Sequence, residues 1–191
     1  MEEEQPKREH LEEYAIVLDY MPSGRSTSIK SEPLVQLLGE ERFTLLEAVC
    51  KSTEIRISER VYIGKGERDK VSLIKGRLLY SDLTEGAKNE LVTAVYNIIK
   101  THEKKYVEMF NTASPLNIRM HSLELLPGIG KKHLTAILDA REQKQFDSFK
   151  DISERVPLLQ DPIKLLMERV VMELKGESRF YILTKAPPIR Y

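Results

Sequence analysis

The chain has 191 residues, of which 41% are hydrophobic and 31% charged, enough for one or two ordinary globular domains with a real core. Lys+Arg and Asp+Glu both number 30, so the net charge is zero, and a strongly basic nucleic-acid coater is excluded as a class. One cysteine, Cys50, rules out an intrachain disulfide and any four-cysteine metal site, and no apolar run approaches the roughly 20 residues of a membrane span.

The N-terminus lacks a signal peptide's hydrophobic segment, and the expected compartment is the cytoplasm. Residues 1–13 carry six Glu against Lys7 and Arg8, and residues 1–12 read as a disordered acidic tail. Tyr14 to Met21 is aromatic, β-branched and apolar, which predicts a strand, and Pro22 to Ser26 a loop. The apolar runs 33–39 and 43–49 read as two short helices broken at Gly39, with Cys50 a buried thiol beside them. From Ile55 to Leu83 the periodicity turns to strands, with Gly64–Lys70 as a basic hairpin between two of them. Several short strands with glycine turns suggest a small barrel or curled sheet. The 64–70 loop lacks the Gly-Lys-Ser/Thr ending of a phosphate loop, so no nucleotide hydrolysis is expected. Residues 51–77 hold eight basic side chains against four acidic ones, a basic face hidden in a neutral total.

Thr84 caps a long helix predicted to run to about Phe110, with His102 packed on or beside its apolar stripe. Ser114-Pro115 reads as the next helix start. Leu125-Leu126-Pro127-Gly128-Ile129-Gly130-Lys131-Lys132 is a tight glycine turn, and Leu134, Ile137, Leu138 and Arg141 then recur at helical spacing. Gly130 leaves the first amides of that helix unobstructed at the positive end of its dipole, and Lys131 and Lys132 stand beside them, a place for an anion. Ser148 to Asp151 resembles a capping box, Asp161-Pro162 starts another helix with Gly176 past its end, and Arg179 to Thr184 reads as a strand. The domain reading is a tail over 1–12, a sheet domain over 13–83, a connecting helix over 84–112, a helical domain over 113–176, and a strand and tail over 177–191 that lock the two together.

Leu126-Pro127-Gly128-Ile129-Gly130-Lys131 resembles the hairpin of helix-hairpin-helix nucleic-acid-binding domains. The resemblance implies that the turn holds the sugar-phosphate backbone without reading sequence. It assigns nucleic-acid contact to Gly128, Ile129, Gly130, Lys131, Lys132 and His133. It also implies a monovalent cation on the carbonyls of Glu124, Leu126 and Ile129. Val156-Pro157-Leu158-Leu159-Gln160-Asp161-Pro162 stands where that family often has a second, pseudo-symmetric hairpin; without a glycine it reads as a structural half. Residues 14–188 as a whole are similar to an archaeal family of uncharacterised proteins for which RNA binding is the usual suggestion. Its members join an OB-like barrel to a helix-hairpin-helix domain. The implied fold is α+β: a small N-terminal OB-like β-barrel, a C-terminal all-α helix-hairpin-helix domain, and a C-terminal strand returning to the barrel. OB-like barrels stack single-strand bases on aromatics beside a basic groove. Tyr14, Tyr20, Tyr62 and Tyr80 are the aromatic candidates, and Lys65, Arg68, Lys70, Lys75 and Arg77 the basic ones.

The expected function is therefore a non-catalytic binder of RNA or DNA without strong sequence preference, with no cofactor and no membrane. The alternatives are a protein-protein adaptor, with a partner in a larger complex, and a repair enzyme of glycosylase or nuclease type. For a glycosylase, Asp147 or Asp151 would be the catalytic acid, although Asp151 is better explained as the helix-start partner of Ser148. His10, His102, His121 and His133 assemble into no catalytic constellation.

Overall fold

A computed structural model describes residues 12–25, 32–51 and 53–189. Five antiparallel strands form a curled sheet, β1 (Tyr14–Met21), β2 (Leu34–Gly39), β3 (Leu45–Cys50), β4 (Arg60–Tyr62) and β5 (Val71–Arg77), in the order β4-β1-β2-β3-β5. The helices are α1 (Glu85–Thr101), α2 (Glu103–Thr112), α3 (Lys131–Gln143), α4 (Phe149–Arg155) and α5 (Pro162–Leu174). A two-stranded pair, β6 (Pro115–Asn117) and β7 (Met120–His121), lies between α2 and α3. No helix among the described residues is long and apolar enough to cross a membrane.

The two short helices expected at 33–39 and 43–49 are instead strands β2 and β3, paired with Leu34 opposite Val49 and Leu37 opposite Leu46. The cause is burial on both faces. All six residues of β2 are buried. Val35 and Leu37 face an inner core with Val17, Leu46 and Val61, while Leu38 faces a second core with Leu18, Leu45 and the helices. A strand covered on both sides has no reason to alternate, and its apolar run is indistinguishable from a short helix.

Residues 1–11 of the expected acidic tail lie outside the described residues, but Glu12 is buried, against the expectation for it. Its carboxylate accepts the amides of Glu41 (2.6 Å), Arg42 (3.0 Å) and Thr44 (3.2 Å). Those donors belong to the turn between β2 and β3, where Phe43 takes φ +49°, so one side chain from outside the turn satisfies backbone groups the ladder cannot reach.

Gly64–Lys70 is not a hairpin either, because the strands it joins, β4 and β5, are opposite edges of the sheet. The loop passes across the open mouth of a half-barrel instead. The single helix expected from Thr84 is two: α1 and α2 meet at His102 (φ −101°, ψ 33°), a break marked by neither Gly nor Pro. Thr84 does cap α1, its Oγ1 accepting the Ala87 amide at 3.0 Å. Buried Gln36 of β2 fixes that start to the sheet, accepting the Thr84 amide (2.9 Å) and donating to the Asp82 carbonyl (3.0 Å).

Ser114-Pro115 opens the β6–β7 pair rather than a helix. Local acceptors win the backbone there: the Ser122 amide and hydroxyl donate to the Ser114 carbonyl (3.1 and 2.8 Å), and the Arg119 amide donates to Asn117 Oδ1 (2.8 Å). The helical half is thus not all-α. Ser148 and Asp161 cap α4 and α5 as read from sequence. Arg179–Thr184 is not a strand, because the amides of Ile182, Leu183 and Thr184 donate to the buried Glu173 carboxylate (2.9, 3.1 and 2.8 Å) instead of to a ladder. The segment still reaches the sheet. The Lys185 amide donates to the Arg42 carbonyl (3.1 Å), and Arg42 Nη2 donates to the Thr184 carbonyl (3.0 Å).

Candidate functional site

The turn before α3 is built by its apolar residues. Leu126 and Ile129 are buried, and the Ile129 amide donates to the Leu126 carbonyl at 3.1 Å across Pro127-Gly128. Proline second and a positive φ third (Gly128, +83°) make a type II turn. Gly128, Gly130, Lys131 and Lys132 are left exposed. Among the described residues nothing in the protein accepts from the amides of these four. The last three line the N-terminus of the 13-residue helix α3, whose dipole points the same way.

The two glycines have different reasons to be glycine. Gly128 needs its left-handed φ, whereas Gly130 has φ −92° and ψ −177°, which any residue adopts. A Cβ built on Gly130 meets nothing within 4 Å. Neither backbone strain nor packing within this chain accounts for a glycine there.

Around the turn the charges are unequal. Lys131 is committed, its Nζ lying 2.8 Å from Glu124 and 3.3 Å from the Arg119 carbonyl. That ammonium, and then the His121 amide, hold the Glu124 carboxyl below the usual carboxylate range. Lys132 has no partner among the described residues. His133 Nδ1 lies 3.0 Å from the Gly128 carbonyl, and since a carbonyl only accepts, Nδ1 carries the hydrogen. His121 is buried behind the turn, accepting the Leu123 amide on Nδ1 (3.2 Å). Burial, and then the Arg141 charge, push its pKa down.

A second turn repeats the first. In Val156-Pro157-Leu158-Leu159 the Leu159 amide donates to the Val156 carbonyl (3.3 Å), and Leu158 takes φ +67° where Gly128 takes +83°. The Leu158 side chain stands 86% exposed in the position that is bare at Gly128. Gln160, just after it, brings its Oε1 to 3.6 Å from where a Gly128 Cβ would be, so the two turns are neighbours. Of the three carbonyls implied for a cation, that of Leu126 accepts the Ile129 amide at 3.1 Å and keeps its second lone pair.

The basic residues of the sheet divide. Lys70 reaches the Glu54 carbonyl (2.6 Å) and Glu59 (3.3 Å), Lys75 pairs with Glu32 (2.7 Å), and Arg77 donates to the Lys185 and Ala186 carbonyls. Arg68 Nε donates to the Gly64 carbonyl (2.8 Å), and Lys65 stands exposed. The tyrosines are occupied as well. Tyr62 packs edge-on against Tyr14 at 5.3 Å, and its hydroxyl accepts the Gly66 amide (3.1 Å). Tyr14 is covered by Arg60 at 3.5 Å, Tyr20 leans on the inner core, and Tyr80 lies between Lys88 and Lys175. Asp147 and Asp151 are in salt bridges with Lys144 (2.6 Å) and Arg155 (3.0 Å). Although burial opposes it, the Asp147 amide and the Arg155 guanidinium hold the Asp151 carboxyl below its ordinary value.

Sequence reasoning missed the pair that mounts the turn. Arg169 and Glu173 on α5 are both buried, with Nε 2.7 Å from the carboxylate. Arg169 Nη1 donates to the Leu125 carbonyl (2.9 Å) just before the turn, and Nη2 to the Ser178 hydroxyl (2.8 Å) and the Phe180 carbonyl. Their one trace in the sequence is their place beside the apolar stripe of Leu166, Val170 and Leu174.

Comparison with known proteins places the chain by kinship. A family model described as "Protein of unknown function (DUF655)" matches residues 11–185. An uncharacterised protein of Methanocaldococcus jannaschii, MJ0038, is 41% identical over 182 residues, covering 94% of this chain and 82% of that one. The crystal structure of Af1531 from Archaeoglobus fulgidus, of the same family model, superposes with a TM-score of 0.83 at 47% identity, covering 91% of this chain and all (100%) of that one.

Proposed function

Since the chain belongs to the DUF655 family, whose model matches residues 11–185, we propose a function from its own geometry: a non-catalytic nucleic-acid-binding protein of the cytoplasm, with RNA the favoured ligand. The observation that carries this reading is Gly130. Its missing side chain leaves a row of unbonded, exposed amides open to solvent at a helix N-terminus, and nothing inside the protein needs that space. Phosphate oxygens are anions that accept such hydrogens, and contact of this kind positions a strand without reading its sequence. Lys132 adds attraction, and Lys131, pinned by Glu124, supports the turn.

On this reading the two Pro-containing turns are the two hairpins of a helix-hairpin-helix unit, the second closed by Leu158. The element before the first turn is only a 3-10 turn, Ser122–Leu125. The strand order β4-β1-β2-β3-β5 with an unpaired seam between β5 and β4 suits a partly open OB-like barrel. The test is fluorescence-anisotropy titration of labelled single- and double-stranded RNA and DNA at 50 and 200 mM salt. Binding that weakens steeply as salt rises supports the reading, as counterions are released. Absence of binding at low salt refutes it.

One observation favours a second reading, a protein-protein adaptor. An apolar groove of about 440 Å³ runs between α1 and α5 beside Pro127, lined by Val92, Met167, Val171 and Met172. An adaptor would show no nucleic-acid affinity in the same titration and would co-purify with a protein.

A further inference from the structure

We infer that the mouth of the half-barrel is a second binding site, separate from the Gly128–Lys132 turn, shaped for one nucleotide with its phosphate monoester. The seam between β4 and β5 encloses a cavity of about 350 Å³. Ile63 stands on one side, Leu46 and Ile74 on the other, continuous with the inner core. A cavity lined by these aliphatic side chains takes a weakly polar body such as a nucleobase, and mouths of barrels are habitual places for such pockets.

The rim is cationic. Lys65, Arg68, Arg77 and Lys185 line the cavity against a single acid, Glu12. Glu12 is already spent on three backbone amides of the β2–β3 turn, so it offers little to a cationic ligand. Arg68 is held at the rim by its Nε bond to the Gly64 carbonyl at 2.8 Å. That contact leaves its terminal nitrogens without an acceptor among the described residues, ready for two phosphate oxygens. Lys65 stands exposed beside it. Apolar lining and a guanidinium fork together select a phosphorylated, ring-bearing molecule over a bare anion or a bare ring. The volume admits one such unit and not a run of them. A free nucleotide and the terminal nucleotide of a strand present the same chemistry.

Calorimetric titration of the intact protein with AMP, adenosine and inorganic phosphate tests this. AMP is expected to bind at least about tenfold more tightly than either fragment, a difference of about 1.4 kcal/mol. Arg68→Gln and Lys65→Ala, both at the rim and outside the packed core, should each weaken AMP by about threefold or more. Gly130→Asp, which blocks the turn, should leave AMP binding unchanged, so failure at the turn and failure here are read separately. With that variant, a 5′-phosphorylated oligonucleotide binding as tightly as AMP, and its dephosphorylated form binding weakly, assigns the site to strand ends; AMP alone binding assigns it to free nucleotides. AMP no tighter than phosphate, or AMP binding indifferent to both rim variants, overturns the inference.

Discussion

Replacing Gly130 by Asp separates folding from binding. The backbone at Gly130 is ordinary extended chain, and the space around it is open, so the substitution introduces no clash. A carboxylate at this position is a good N-cap, accepting the Lys132 or His133 amide, and it favours the positive helix end. Together these gain about 0.5–1 kcal/mol over glycine. For a chain of this size that raises Tm by roughly 1–4 °C. The same carboxylate occupies the amides that phosphate would use. Losing one charge-assisted hydrogen bond costs about 1.5–3 kcal/mol, and repulsion between the carboxylate and a phosphate about 4 Å away adds about 1 kcal/mol even in bulk water. A loss of about 2.5–4 kcal/mol lowers affinity by a factor of roughly 70 to 900. The assay is anisotropy with single-stranded RNA at 50 mM salt, with calorimetric unfolding in parallel, and Gly130→Ser as the uncharged intermediate. An Asp variant that melts at or above wild type and binds within threefold of it refutes the reasoning, because the amides would then not be the contact.

Other substitutions probe the frame behind the turn. Leu158→Gly should relieve the cost of a positive φ, about 1–2 kcal/mol, against about 0.5–1 kcal/mol of added chain entropy. Its side chain is 86% exposed and buries little, so the net gain of about 0–1.5 kcal/mol should raise Tm by up to about 6 °C, and a fall would contradict the assignment. Glu173→Gln leaves Arg169 buried without its counter-charge, at a cost of about 3–5 kcal/mol, which lowers Tm by roughly 6–20 °C. Limited proteolysis should then find new cuts within residues 177–189; an unchanged digestion pattern would count against the clasp. For His121, burial favours the neutral ring, so the folded pKa lies below the unfolded one. Its contribution to stability is complete above about pH 6.5 and is lost as pH falls through the lower, folded value. His121→Asn, which keeps an acceptor for the Leu123 amide, should flatten the drop in Tm between pH 7.5 and 5.5. An identical pH profile for variant and wild type would remove His121 from the account.

What could be read without coordinates was what rests on local chemistry. The caps at Thr84, Ser148 and Asp161, strand β1 and the glycine turn each follow from two or three adjacent residues. What escaped depends on neighbours far along the chain. The runs 33–39 and 43–49 read as helical because the helices cover one face of β2 and β3 while the half-barrel interior covers the other, which erases the alternation that marks a strand. The bend at His102 carries no breaker residue. Glu12, Arg169 and Glu173 look like solvated surface charges until the turn and the chain end they hold are in place. The basic stretch 51–77 shows the limit of counting charges. Lys70, Lys75 and Arg77 are engaged by the protein's own acids and carbonyls, and Arg60 by Glu40, so the eight basic side chains are far from eight free charges.

Arg169 grips the backbone on two sides at once, at Leu125 ahead of the turn and at Phe180 in the stretch that runs on to Arg42. A pull on the turn therefore passes through a buried ion pair into the sheet instead of being absorbed at a joint. On the proposed reading, the spacing between turn and half-barrel mouth is set by these bonds before any ligand arrives. A polymer touching both would have to bend to a fixed gauge, and its stiffness, more than its letters, would govern how well it fits.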